Sequence, residues 1–270
     1  MNLGDDRQRR GVLYPRHLPE FHRLTPPDDL AHALGWFWIS EWDLPDGRRS
    51  VQQILPFPAC NIVVEGEAVT AVGPPTRRSE RVLTGRGWAV GALLRPAAAH
   101  LLIPDIPALA DATRPLDEPA LQRRVASAMS DSAAEPAARR SAAAAALAEW
   151  IRARAPRPAQ GSEGALANDL ATELADPSVT RISDLEPRLH ASTRTLQRIA
   201  ARFFGLSLHS MIRRRRLQEA AERLREDPQL AIARLATELG YADHAHFTSD
   251  FKALLGMTPS AYRERTEHGE

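Results

Sequence analysis

The chain has 270 residues, 43% of them hydrophobic, and 35 Lys plus Arg against 34 Asp plus Glu give a formal net charge of +1. That length suits two domains rather than one and is ample for a buried core. Cys60 is the single cysteine, which excludes an intrachain disulfide and any multi-cysteine metal site.

From the N-terminus, MNLGDDRQRR is charged and leads into no apolar signal core. No uninterrupted apolar stretch reaches the roughly 18–20 residues that span a bilayer, so a cytoplasmic protein with no membrane partner is expected. Residues 36–42, 50–55, 60–65, 69–72 and 88–94 are rich in aromatic and β-branched side chains and read as short strands. Turn chemistry separates them, at Pro45-Asp46-Gly47, Pro56-Phe57-Pro58, Gly66, Gly73-Pro74-Pro75 and Gly85-Arg86-Gly87. Strands punctuated this regularly predict a barrel or sandwich.

After about Pro119 the composition changes. Residues 121–129 and 137–154 are Ala-rich with few β-branched residues, which favours helix. The run Ala142 to Ala146 offers little to pack with, so residues 113–162 are expected to form a helical bridge. Pro156, Pro158 and Gly161 end it in a linker. The expected architecture is α+β: an N-terminal β-barrel, cupin-like domain over residues 1–112, the bridge, and an all-α domain over 163–270.

The last third carries an internal repeat with an offset of 51 residues: STRTLQRIAARFFG from Ser192 and DHAHFTSDFKALLG from Asp243. Each copy starts on an N-cap residue and stops at a glycine, Gly205 or Gly256, suited to a left-handed helix end. Apolar residues fall on one face, Leu196, Ala200 and Phe203 in the first copy and Phe247, Phe251 and Leu254 in the second. A short helix precedes each copy: Ser183 is placed to cap one over residues 184–189, and residues 231–239 form the other, ending at Gly240. Two helices with a tight turn describe a helix-turn-helix, although spacing alone leaves plain helical hairpins about equally open.

The exposed faces favour nucleic acid. Residues 181–265 hold 15 basic against 10 acidic side chains, a balance suited to a polyanion. Arg194, Thr195, Gln197, Arg198 and Arg202 lie opposite the buried stripe of the first copy, and Arg and Gln both make bidentate contacts to purine edges. In the second copy the equivalent face offers His244, Ala245, His246, Thr248, Ser249 and Lys252. Between them a helix from Arg213 to about Arg225 is a strut of roughly 20 Å, enough to hold two readers near successive major-groove faces. The first copy, with its arginines, is the expected source of sequence specificity, and the second an anchor.

Residues 235–247 (LATELGYADHAHF), followed by Phe251-Lys252, Gly256-Met257-Thr258-Pro259 and Tyr262-Arg263, resemble the AraC/XylS family signature. Ser192, Arg194, Leu196-Gln197-Arg198, Gly205 and Arg216-Leu217 resemble that family's upstream helix-turn-helix. The resemblance covers about the last 90 residues. Leu55-Pro56, Asn61 to Val64, Gly73, Gly87, Gly91 and Arg95-Pro96 resemble a cupin-like regulatory domain of such proteins. It implies binding to double-stranded promoter DNA, contact with RNA polymerase, a small-molecule effector and a possible homodimer. Trp38, Asn61, Trp88 and Arg95 are the effector-binding candidates on that basis, although for Trp36, Trp38, Trp42 and Trp88 a place in the core or an interface is the preferred reading over ligand contact. Departures at Glu186-Pro187 and Ala200 predict looser packing of the first unit.

Other classes are disfavoured. His244 and His246, two apart on a helix, point in different directions, and His17, His22, His32 and His100 are scattered. No metal, cofactor or catalytic site is expected, and no enzyme. Cys60 alone does not supply the reactive cysteines of AraC-type alkylation-repair proteins and reads as a small buried apolar residue. A nonspecific architectural DNA binder and a cupin enzyme with a DNA-binding tail are the remaining alternatives.

Overall fold

The computed structural model describes residues 20–54 and 57–268. Leu55, Pro56, His17 and the charged N-terminal stretch lie outside them. Among the described residues eight strands come first: β1 (Glu20–Leu24), β2 (Leu34–Asp43), β3 (Arg49–Ile54), β4 (Asn61–Glu65), β5 (Ala68–Val72), β6 (Ser79–Thr84), β7 (Arg86–Leu94) and β8 (Thr113–Leu116). Six form an antiparallel sheet in the order β1-β2-β7-β4-β5-β8, and β3 pairs with β6 in a separate ribbon. The strands at 20–24, 79–84 and 113–116 escaped sequence reading because each is short and mixes charged or proline residues into its alternation.

The arrangement is compatible with a cupin-like domain, but the barrel is not closed. Alternation along the strands sends Phe37, Ile39, Ile62, Val64, Val90 and Ala92 to one face, and helices cover that face. They are α1 (Pro96–Leu102), α2 (Pro119–Ser130) and α3 (Pro136–Arg152). Leu121, Val125 and Met129 of α2 and Ala143, Ala146, Leu147 and Ile151 of α3 join the sheet in one core. The Ala-rich segment therefore packs rather than bridges: small side chains let α3 lie close to α2 and to the sheet, and Arg139 and Arg140 fix its first turns on Glu41 of β2. Over the opposite face the ribbon makes a partial second layer. Leu83 and Gln52 are buried beneath it, Trp42 Nε1 donates to Thr84 O at 3.2 Å, and Arg81 pairs with Glu65.

The remaining helices are α4 (Glu163–Leu174), α5 (Leu185–Leu189), α6 (Thr193–Phe204), α7 (Leu208–Glu226), α8 (Ile232–Glu238), α9 (His244–Leu255) and α10 (Pro259–His268). They form two cores. One gathers Ala167, Leu170, Leu196, Ile199, Phe204, Leu208, Met211 and Ile212; the other gathers Leu217, Ala220, Leu224, Leu235, Phe247, Phe251 and Tyr262. Among the described residues no helix is long and apolar enough to cross a membrane.

Polar contacts dock the C-terminal helices on the N-terminal part. Asn168 of α4 is buried; its Oδ1 accepts from Ala97 N at 3.0 Å and its Nδ2 donates to His32 O at 2.7 Å. Arg214 of α7, also buried, donates to Pro75 O at 2.6 Å and Thr76 O at 3.0 Å. Asp111 steadies the acceptor loop by taking the Thr76 amide at 2.6 Å. Asn168→Ala should cost about 1–3 kcal/mol, because it strands a buried donor and a partly buried acceptor; a lower denaturation midpoint and faster trypsin cleavage within 153–162 would report it. Gly205 has a φ of 64°, and a Cβ there would meet Pro107 Cα at 3.1 Å and Ile106 O at 3.2 Å. At Gly256 (φ 79°) the atoms nearest an added Cβ belong to the guanidinium of Arg78, the far end of a flexible side chain. Both Ala variants carry the left-handed penalty of about 1 kcal/mol, and chemical denaturation should show Gly205→Ala as the more damaging.

Candidate nucleic-acid interface

The first helix-turn-helix is α5 and α6. Ahead of α5, Ser183 is not the cap residue: a 3-10 turn at Ile182–Asp184 leads in, and Asp184 at its end reaches back, its Oδ2 taking the Thr180 and Arg181 amides, both at 2.8 Å. These amide donors, with the Thr180 hydroxyl, hold the Asp184 carboxyl below its ordinary pKa. Pro187 falls in the first turn of α5, where its missing N–H costs nothing. Glu186 ties the two helices together, because its Oε1 accepts from Thr193 N at 2.6 Å, the first amide of α6. Ser192 caps the same helix through Thr195 N at 3.3 Å, and Gly205 ends it. Leu196, Ile199 and Ala200 are fully buried, so the small residue at 200 leaves no exposed gap; Phe203 and Phe204 fill the space beyond it.

The second unit is α8 and α9. Asp243 caps α9 through His246 N at 2.7 Å, and Gly240 and Gly256 adopt the expected left-handed turns. Phe247 and Phe251 are fully buried, and Tyr241 meets Phe247 edge-on at 5.2 Å. Burial is also the chief reason the Tyr241 phenol ionises well above its ordinary pKa.

The candidate readers fall into three groups. Arg194, Gln197, His244, Ala245, Ser249 and Lys252 are exposed, and Thr195 is half-buried at the start of α6. Arg198 and Arg202 are exposed but engaged: Glu163, the first residue of α4, gives Oε1 to Arg198 and Oε2 to Arg202 at 2.7 Å. The Arg198 hydrogen bond is the main reason the Glu163 carboxyl sits below its ordinary range. His246 is exposed but engaged on the protein side, and Thr248 is half-buried. The His246 ring lies 3.6 Å from Asp250 and edge-on to Tyr241, and the Thr248 hydroxyl is buried with no partner among the described residues. Sequence reading missed Glu163 because it closes a linker and opens a helix, where an acidic residue has an ordinary role.

The four effector candidates do not form one site. Trp38 and Asn61 share the ribbon side of the sheet, where Trp38 Nε1 donates to Asn61 Oδ1 at 3.0 Å and the indole lies over Gly91. Trp88 pairs with Glu41 in register and packs into the helix-covered face. Arg95 donates to Asn168 O at 3.0 Å and Thr172 Oγ1 at 2.8 Å, so it joins α4 to the sheet. Burial pushes the Cys60 thiol up to about 12, away from nucleophilic use. Glu20, His22 and Glu41 do come together at the β1 edge, but Arg139 and Arg140 already neutralise Glu41.

A cavity of about 720 Å³ opens between the sheet and helices α4, α6 and α7. Trp36, Phe57 and Phe203 give it aromatic walls, and Arg95, Arg215 and Arg225 line it too. The Nε atoms of Arg95 and Arg215 are buried in the protein without an acceptor among the described residues.

A helix-turn-helix domain family model matches residues 186–265, and a model described as a domain of unknown function, DUF6597, matches residues 22–113. The probable transcription factor PqrA of Proteus vulgaris is 41% identical over 69 residues, 26% of this chain and 56% of that protein. The HTH-type transcriptional activator AarP of Providencia stuartii is 38% identical over 68 residues, 25% of this chain and 50% of that one. The Msm operon regulatory protein of Streptococcus mutans is 29% identical over 91 residues, 34% of this chain and 32% of that one. The chain thus spans a third to about half the length of these relatives. Among solved structures, ToxT of Vibrio cholerae O395 aligns over 90% of this chain and 95% of that one, at 11% identity and a TM-score of 0.40. Over residues 186–265 the paired helices and the helix-turn-helix family match coincide.

Proposed function

We propose that the chain is a sequence-specific transcription regulator that reads promoter DNA with α6 and α9 and responds to a small-molecule effector. The carrying observation is the pair of capped, glycine-terminated helices, each with a buried apolar stripe and an exposed polar face. With Arg198 and Arg202 held by Glu163, the exposed Arg194 and Gln197 are the base-reading groups of α6. On α9, His244, Ser249 and Lys252 suit phosphate contact and close approach. Two readers in one chain make a monomer sufficient for a site of two half-elements, and the family resemblance extends the action to contact with RNA polymerase.

The cavity between sheet and helices supports the effector reading better than the four residues first singled out. Its aromatic walls suit an apolar body, and the positive charges of Arg95, Arg215 and Arg225 along its lining suit an anionic group. In a thermal-shift screen, small organic acids that raise the Tm of the wild type should lose that effect on Arg215→Gln.

Selection of bound genomic fragments, followed by competition with mixed-sequence DNA, tests the main reading. Arg194→Ala should weaken binding to the selected site by about 1–3 kcal/mol and relax preference at one base pair. Lys252→Ala should weaken all duplexes alike and lower the salt slope by about 1. Binding by the wild type that is steep in salt yet blind to sequence would instead establish an architectural DNA binder.

A further inference from the structure

We infer that Glu163 is a built-in competitor for DNA on the reading helix α6, setting how many of its arginines DNA can use. The inference rests on the DNA-reading role proposed above and adds a regulatory residue outside the helix-turn-helix units. Arg198 and Arg202 stand one helical turn apart on the exposed edge of α6, and one carboxylate spans both, an oxygen to each. Carboxylate and phosphate oxygens use the same guanidinium donors. A phosphate brought to these arginines must therefore displace Glu163 or accept its negative charge as a neighbour.

Two features mark the contact as displaceable rather than structural. The side chains are 36%, 55% and 52% exposed for Glu163, Arg198 and Arg202, so water screens the pairs and their strength is modest. Helix α6 is held by other means, its Ser192 and Glu186 caps and its fully buried Leu196, Ile199 and Ala200.

The position of the carboxylate also ties it to the N-terminal part. Glu163 follows the linker directly, and the next residue, Gly164, lies so close to Pro158 and Ala97 that a Cβ would meet their Cβ atoms at 3.3 and 3.4 Å. From α1, the His100 ring lies 4.5 Å from Phe203, and the Arg202 guanidinium covers that phenyl ring at 5.5 Å. Five residues into α4, Asn168 bonds to Ala97 and His32. Linker, α1 and reading helix thus meet around one ion-paired carboxylate, so N-terminal movement has a short path to the DNA-facing arginines.

The test uses the full chain, fluorescence anisotropy and two probes: a mixed-sequence duplex and the best site recovered from genomic fragments. Glu163→Gln should bind the mixed-sequence duplex about three- to tenfold tighter than wild type, with a salt slope steeper by about 1, the increment of one added phosphate contact. Glu163→Asp keeps the helix-start charge but is too short to span both arginines, and should fall between the two. The gain must disappear when Arg198 and Arg202 are both Ala. Unchanged or weaker binding by Glu163→Gln, with wild type binding normally, overturns the inference; so does a gain that survives loss of both arginines. If the wild type and the variant both fail to bind either duplex, the DNA-reading role itself falls, and this inference with it.

Discussion

Helix α7 is the constraint on which the C-terminal half depends. Leu208, Met211 and Ile212, near its start, belong to the core of the first helix-turn-helix, and Leu217, Ala220, Ala221 and Leu224 belong to the core of the second. At about 100° per residue these two stripes lie roughly opposite each other around the helix. Each unit is therefore packed against its own side of one 19-residue rod, about 28 Å long at 1.5 Å per residue. Neither unit can turn about the other without breaking a core or bending the rod, so α7 fixes the relation between α6 and α9.

The N-terminal part grips this assembly where the rod changes faces. Arg214 lies between the two stripes, and its charge is satisfied by two carbonyl oxygens of the loop before β6 rather than by a carboxylate. Burial lowers its pKa while Asp111 opposes the change, which suits a cation solvated by protein dipoles. Asn168 and Arg95 make the second grip, at α4. The cavity lies near that grip, with Arg95 and Thr172 shared between its wall and the joint. A ligand there would touch the same side chains that set how the C-terminal helices sit on the sheet.

Much of the reading surface was legible in the sequence because helix ends are written in local chemistry. Ser192, Asp243, Gly205 and Gly256 do what their residue types prescribe, and the buried stripes follow from spacing. Helix α7 was harder: its two opposed stripes cancel as a single amphipathic pattern, so Arg213 to about Arg225 stood out, while Ser207, whose residue type suits a new cap after Gly205, marks the start. The Ala-rich run of α3 was misread because small residues signal close packing as readily as a lack of partners; only the neighbouring α2 and sheet decide which. The roles of Arg95, Arg198, Arg202 and Glu163 depend on pairings 35 to 77 residues apart, which no local pattern carries. Closure of the strands into a barrel was likewise a question of which edges pair, and strand texture does not answer it.

On the proposed function, one helix, α7, would present α6 and α9 to DNA as a unit. Hydroxyl-radical footprinting of the full chain on a selected genomic site tests this most directly. Two protected windows on one face of the duplex, centred about 10 base pairs apart, are the predicted result. A single window, or protection spread evenly along the fragment, would contradict it.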